Sequence, residues 1–212
     1  MKKLVLNIPR RTDRREHFNK VNGSKLTDIE WLDGIDGKEI THQQLLRSGA
    51  NTNRLWRDPF SNRKLTHGDI GCLLSHREAW IEVSNQEEPM MIIEDDAIVL
   101  DNYDEQYYES LAEEYNFIYL QRNENEPESV VSIDDSIEVP FYPYNLTAYV
   151  ITPEAAKILI NTNIVENIIP ADEYLPVMLK HLKPCALKVD AFQQASRQTL
   201  SSDIEPDIEE DS

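Results

Sequence analysis

Pro89-Met90-Met91-Ile92-Ile93-Glu94-Asp95-Asp96 sets five apolar residues directly against three adjacent carboxylates. A short unbroken apolar run reads as a strand covered on both faces, the kind that builds parallel sheets. The carboxylates then fall at the carboxyl end of that strand, on the rim where open α/β sheets bind their ligands. Three neighbouring carboxylates repel one another unless a cation or several donors compensate. A hard divalent ion, Mg²⁺ or Mn²⁺, is the natural partner of such oxygens, with substrate phosphates completing its shell. The bland alternative is a solvated acidic turn, but such turns do not usually follow five apolar residues without a break.

Outward from this stretch the chain alternates between strand and helix. Residues 3–8 predict a first strand, ended by Pro9, and Asp13 with Glu16 has the spacing of a capping box for a helix to residue 21. Residues 29–32 predict a second strand, closed by the turn Asp33-Gly34-Ile35-Asp36-Gly37. A short helix is expected over 41–47, then a long polar loop over 49–66 of the kind that tends to be functional or mobile. From Asp69 onward, Ile70, Leu73, Leu74, Trp80 and Ile81 recur at helical spacing, which places Leu73 and Trp80 in the core. Beyond the acidic triplet the pattern predicts a helix over 103–115, strands over 117–120 and 147–151, and an acidic surface excursion over 121–136. Thr152-Pro153-Glu154 carries the signals of a helix start, and another helix is expected from Pro170 to His181. The order implies one α/β domain over residues 1–199, a mostly parallel sheet flanked by helices. Residues 200–212 carry only acidic charges and are expected to form a flexible tail.

Composition narrows the function. The 212 residues are 40% hydrophobic, enough for a core, and carry a formal net charge of −18. Such a surface repels phosphate backbones, so nucleic acid is not an expected partner. Two basic patches, 10–15 and 54–64, interrupt the acidity and suit a small anionic ligand or simply a solvated face. No apolar segment approaches the roughly 20 residues that span a bilayer, and the run near Met1 is short for a signal peptide. Two cysteines, Cys72 and Cys185, do not make a disulfide framework. These features lead to the expectation of a cytoplasmic protein without a transmembrane segment. They say nothing of its oligomeric state.

Several blocks carry a family resemblance. Leu6-Asn7-Ile8-Pro9-Arg10-Arg11-Thr12-Asp13-Arg14-Arg15 resembles the opening of glycosyltransferase family 25, the group of lipooligosaccharide and procollagen galactosyltransferases. The turn at Asp33-Gly34 is similar to that family's segment after the second strand. Leu65-Thr66-His67-Gly68-Asp69-Ile70-Gly71-Cys72-Leu73-Leu74-Ser75-His76 resembles its most recognisable block, and Ile92-Ile93-Glu94-Asp95-Asp96-Ala97 its acidic motif. Thr147-Ala148-Tyr149-Val150-Ile151-Thr152-Pro153 and Pro170-Ala171-Asp172-Glu173-Tyr174-Leu175-Pro176 are similar to its later blocks, in family order.

The resemblance implies a GT-A-like, Rossmann-like fold and metal-assisted transfer of galactose or glucose from a UDP-sugar, with inversion. The acceptor it implies is a hydroxyl of a glycan, a lipid-linked glycan or a protein. It assigns Glu94, Asp95 and Asp96 to the metal. It places Asn7, Arg10, Arg14, Asp33, Gly34, Gly68, Gly71, Ser75 and Asp95 by the donor nucleotide. Asp172 becomes the candidate base, with Glu173 second, although Asp172 also reads as a plain helix N-cap. His67 and His76, taken alone, read as structural. Two further readings stand beside it: a catalytically silent binding module of that family, against which the intact Glu94-Asp95-Asp96 argues, and a metal-dependent phosphoester hydrolase using the same carboxylates. The second lacks the histidine-rich second metal cluster that two-metal sites often use.

Overall fold

The computed structural model describes residues 1–47, 50–196 and 198–203. Its strands are β1 (Lys2–Asn7), β2 (Ile29–Asp33), β3 (Met90–Glu94), β4 (Ala97–Val99), β5 (Phe117–Tyr119) and β6 (Asn123–Glu124). They continue with β7 (Val131–Ser132), β8 (Ile137–Val139), β9 (Pro143–Tyr144), β10 (Ala148–Ile151), β11 (Pro184–Leu187) and β12 (Phe192–Gln194). The α-helices are α1 (Thr12–Asn22), α2 (His42–Arg47), α3 (His67–Ser84), α4 (Glu105–Leu111), α5 (Pro153–Ile160) and α6 (Ala171–Met178).

Among the described residues, eight strands form one sheet in the order β2-β1-β3-β10-β5-β11-β8-β7. β1 runs parallel to β2 and β3, and β5 parallel to β11, whereas β10 runs against β3 and β5 and β8 against β11. The sheet is therefore mixed but predominantly of one direction, as a Rossmann-like α/β domain requires. From β1 the chain moves to β2 on one side and later to β3 on the other. The carboxyl ends of β1 and β3 thus flank the switch point at which such sheets open a crevice.

The apolar strands are unbroken because helices cover both faces. In β3, Met90 and Ile92 join the core beneath α3, α5 and α6, while Met91 and Ile93 join the opposite core with Phe18 of α1 and Tyr108 of α4. Successive side chains of a strand point to opposite faces, so each core needs its own apolar residues. Leu73 and Trp80 of α3 are completely buried, as the helical spacing predicts.

Local differences from the sequence reading have physical causes. The Asp13–Glu16 capping box does not form: Arg11 occupies the N-cap without a side-chain cap, and its guanidinium takes the Asp13 carboxylate at 2.9 Å. Capping boxes form instead at α2, where Thr41 and Gln44 exchange side-chain and backbone hydrogen bonds, and at α3, where Thr66 and Asp69 do the same. The helix expected over 103–115 shrinks to Glu105–Leu111, opened by Asp104 accepting the Tyr107 N–H at 3.1 Å. The excursion at 121–136 contributes β6 and β7, and β7 with β8 extends the sheet edge. Leu200 is buried, and Ser201 and Asp203 engage Arg11, so the first residues grouped with the tail pack on the domain. Residues 204–212 lie outside the described residues. Among the described residues no helix is long and apolar enough to cross a membrane.

Candidate active site

The end of β1 and the end of β3 meet through Asn7. Its side-chain amide donates to Asp95 Oδ2 at 2.7 Å and to the Arg11 carbonyl at 3.1 Å. Arg14, one turn into α1, donates to Asp95 Oδ1 at 2.6 Å and stands 3.4 Å from Asp96. Both oxygens of Asp95 are thus engaged by protein donors. Asp96 is different: Gln194 at the end of β12 donates to Oδ2 at 3.3 Å, while Oδ1 is buried and has no hydrogen-bond partner among the described residues. A buried carboxylate oxygen without a donor is costly unless something else completes it. The triplet lies at the carboxyl end of β3, and within it Asp95 and Asp96 are buried, at 5% and 7% exposure.

Glu94 is held from the other side. Trp80 Nε1 donates to the Tyr149 hydroxyl at 2.9 Å, that hydroxyl meets His76 Nδ1 at 3.0 Å, and His76 Nε2 lies 3.3 Å from Glu94 Oε1. Burial lowers the His76 pKa to about 4, so the ring is neutral at pH 7. Glu94 and Asp96 both titrate above the usual carboxylate range, because burial and the neighbouring acids oppose ionisation more than Arg14 favours it.

The turn after β2 is fastened to α3 by close approach. The Gly34 N–H donates to the Asn7 carbonyl at 2.8 Å, and Ser75 Oγ accepts the Ile35 N–H at 2.8 Å while donating to the Gly71 carbonyl. A Cβ on Gly71 would stand 2.5 Å from the Ile35 carbonyl oxygen, and one on Gly37 would stand 1.6 Å from that of His67. Only glycine at both positions lets the helix start press against the turn.

The sequence-predicted donor residues divide accordingly. Asn7, Arg14, Gly34, Gly68, Ser75 and Asp95 line one crevice with Glu94 and Asp96. Gly71 is buried beneath it, and Asp33 is exposed and outside it. Arg10 sits at its edge, pairing with Asp36 and with Asp203. Ser202 and Asp203 also line the crevice.

A second cavity of about 290 Å³ adjoins the first through Arg14, Cys72, Glu94, Asp96 and Gln194, and Asp172 lines it. Asp172 is not an N-cap: Pro170 holds that position, and Asp172 belongs to the first turn of α6. The backbone of Asn145, a residue in the left-handed region at φ 73°, stands by the Asp172 carboxylate and only partly offsets the effect of burial. Burial raises Asp172 to about 7, with the Glu94 charge adding to the shift. Glu173 does not line this cavity; its carboxylate accepts the Tyr142 hydroxyl at 2.7 Å. Sequence reasoning passed over Cys72, Tyr149 and Gln194 and read His76 as structural. The four-residue spacing of Cys72 and His76 on one helix was the available signal; no local pattern marks Gln194.

The profile described as "Glycosyltransferase family 25 (LPS biosynthesis protein)" matches residues 1–175. The chain belongs to glycosyltransferase family 25. Human procollagen galactosyltransferase 2 is 31% identical over 188 residues, covering 82% of this chain and 29% of its own length. A Drosophila melanogaster glycosyltransferase 25 family member is 31% identical over 183 residues, covering 82% of this chain and 30% of its own. A procollagen lysyl hydroxylase and glycosyltransferase of Acanthamoeba polyphaga mimivirus is 32% identical over 191 residues, covering 82% and 21%. This family 25 chain therefore spans less than a third of the length of these relatives. The matched region contains the β1–α1 arginines, the α3 glycines, the acidic triplet and Asp172.

Proposed function

We propose that this chain transfers a hexose, galactose or glucose, from a UDP-sugar to an acceptor hydroxyl, with inversion and with assistance from Mn²⁺ or Mg²⁺. The observation that carries the reading is the unpartnered, buried Asp96 Oδ1 at the junction of two cavities. One cavity has the glycines and Arg14 suited to a nucleotide diphosphate, and the other has a carboxyl raised to about 7. The residues fit a hard cation: Asp96 offers one buried carboxylate oxygen that no described group satisfies, and the Glu94 carboxylate lies beside it. Asp95 supports this pair indirectly, since Asn7 and Arg14 already occupy its oxygens. When bound, such an ion neutralises charge on a departing diphosphate.

The protein's own groups supply the rest. Arg14, which already spans Asp95 and Asp96, adds positive charge where the phosphates would lie. The Gly34 turn and the start of α3 bring backbone close to a nucleotide. Asp172 takes the acceptor hydroxyl's proton as the glycosidic bond forms on the opposite face of the sugar. A base works best with a pKa near the operating pH, and its environment moves Asp172 there. Glu173, whose carboxylate accepts the Tyr142 hydroxyl, is the second candidate for the base. The acceptor class is a glycan, a lipid-linked glycan or a protein hydroxyl.

Incubating the chain with a panel of UDP-sugars and Mn²⁺ tests the reading, with UDP release followed in the presence of galactosyl and hydroxylysyl acceptors. Acceptor-stimulated UDP release from UDP-galactose or UDP-glucose is expected. A chain that binds UDP yet never turns over any donor would favour the silent binding module. Release of phosphate from simple phosphoesters would favour the hydrolase.

A further inference from the structure

Cys72 and His76 stand one helical turn apart on α3, so both side chains face the end of β3. Cys72 Sγ, a His76 ring nitrogen and a Glu94 carboxylate oxygen all lie within 4.8 Å of one another. We propose that these three side chains form a Zn²⁺ site, different in chemistry from the oxygen-only site at Asp96, with its fourth position open to the adjoining cavities.

The ligand set is the first reason. Thiolate and imidazole select zinc over Mg²⁺ or Mn²⁺, which prefer oxygen. Distances are the second. A tetrahedral zinc holds its nitrogen, oxygen and sulfur ligands roughly 3.3–3.8 Å apart, so side-chain shifts of about 1 Å close the site. The third is orientation. Ligating histidines characteristically have their other ring nitrogen held by a hydrogen bond, and Tyr149, itself held by Trp80, does this for His76 Nδ1. The Tyr149 hydroxyl can donate or accept. The imidazole proton can therefore sit on Nδ1, facing Tyr149, and leave the Nε2 lone pair for the metal. Access is the fourth: Cys72 and Glu94 line both cavities, so an ion can enter and keep a water or an anion as its fourth ligand.

Binding balances simply. The zinc–sulfur bond forms as the Cys72 thiol proton leaves to solvent, the imidazole proton moves between ring nitrogens, and nothing is oxidised or reduced. Glu94 belongs to this site and to the hard-cation site, so Zn²⁺ should exclude the other ion. That last expectation rests on the proposed metal-assisted transfer; the zinc site itself does not.

The test uses the whole chain, stripped of metal, with Co²⁺ as an absorbing substitute for Zn²⁺. An intense near-ultraviolet band from thiolate to cobalt is expected, and Zn²⁺ should erase it. Cys72→Ser should abolish the band and weaken Zn²⁺ binding by more than about tenfold. His76→Gln should also weaken binding, and carries the comparison if the serine variant fails to fold. Cys185→Ala, in the buried strand β11, should leave the spectrum unchanged. Absence of the band in the parent chain, or an unchanged band and affinity in Cys72→Ser, overturns the site. Zn²⁺ should also depress UDP-sugar turnover in the parent and much less in Cys72→Ser. If no chain turns over any donor, the transferase reading fails while the spectra still decide the zinc site.

Discussion

At the scale of single residues, the proposed transfer rests on Asp172 and Asp96, and both are acids that the protein makes reluctant to ionise. Asp172→Asn keeps the size of the side chain and removes the proton acceptor. Turnover should fall roughly 10²–10⁴-fold with UDP affinity almost unchanged, as read by steady-state kinetics beside calorimetry. A loss of less than about threefold would return Asp172 to a structural role. The raised carboxyls also set a pH dependence. An unfolded aspartate titrates near ~4, whereas Asp172 titrates at about 7 in the fold, and Glu94 and Asp96 shift the same way. Between about pH 4 and 7 the folded chain keeps protons that the unfolded chain has lost, so these groups make stability fall as pH rises. His76, held neutral down to about pH 4, opposes this with a single group. The metal-free chain should therefore melt lower at pH 8 than at pH 5, and Asp172→Asn should flatten the difference. Mn²⁺ should raise the melting temperature more at pH 8, where the carboxylates are ready to bind it. Equal shifts at both pH values would mean that these acids do not hold the ion.

At the scale of elements, α3 is the organising piece. Its capping box starts it, its buried face carries Leu73 and Trp80, and its glycines admit the turn after β2. Trp80→Ala should cost about 3–5 kcal/mol in denaturant unfolding, because it leaves a cavity between α3 and the sheet and frees the Tyr149 hydroxyl. Gly71→Ala should impair UDP binding as well as stability, since a methyl group there meets the Ile35 carbonyl and the Gly37 nitrogen. A variant with unchanged melting and UDP affinity would show that the turn can move aside without cost. The same elements show what the sequence makes legible. β1, β2, β3 and α3 stand out because long-range burial is written locally, as apolar runs and helical spacing. β11 and the β4–β12 pair do not, because their residues pair with strands far along the chain and carry no turn chemistry of their own. The antiparallel course of β10 is likewise a property of its neighbours, not of Thr147–Ile151. In the site, acids and glycines beside strand ends are visible from spacing. Gln194, Tyr149 and the position of Asp203 over the arginines come only from the fold.

For the whole molecule, the mixed sheet brings the ends of β1, β2 and β3 to one crevice and lets α6 present Asp172 from the neighbouring cavity. On the proposed reading, an acidic chain with a net charge of −18 would receive an anionic nucleotide there because Arg14 and a bound cation would offset the local field. Residues 200–203 pack across the same mouth, tying Ser201 and Asp203 to Arg10, Arg11 and Arg14, so the domain's last described residues belong to the site's electrostatics. In the proposed transfer Asp96 needs a cation, and that cation makes nucleotide binding possible. Calorimetric titration of UDP into the chain, with and without Mn²⁺, tests it for the parent and for Asp96→Asn. Binding of UDP by the parent only when Mn²⁺ is present, and its loss in a folded Asp96→Asn variant, is the expected result. Equal UDP affinity with and without Mn²⁺, or an Asp96→Asn variant that binds both like the parent, would contradict it.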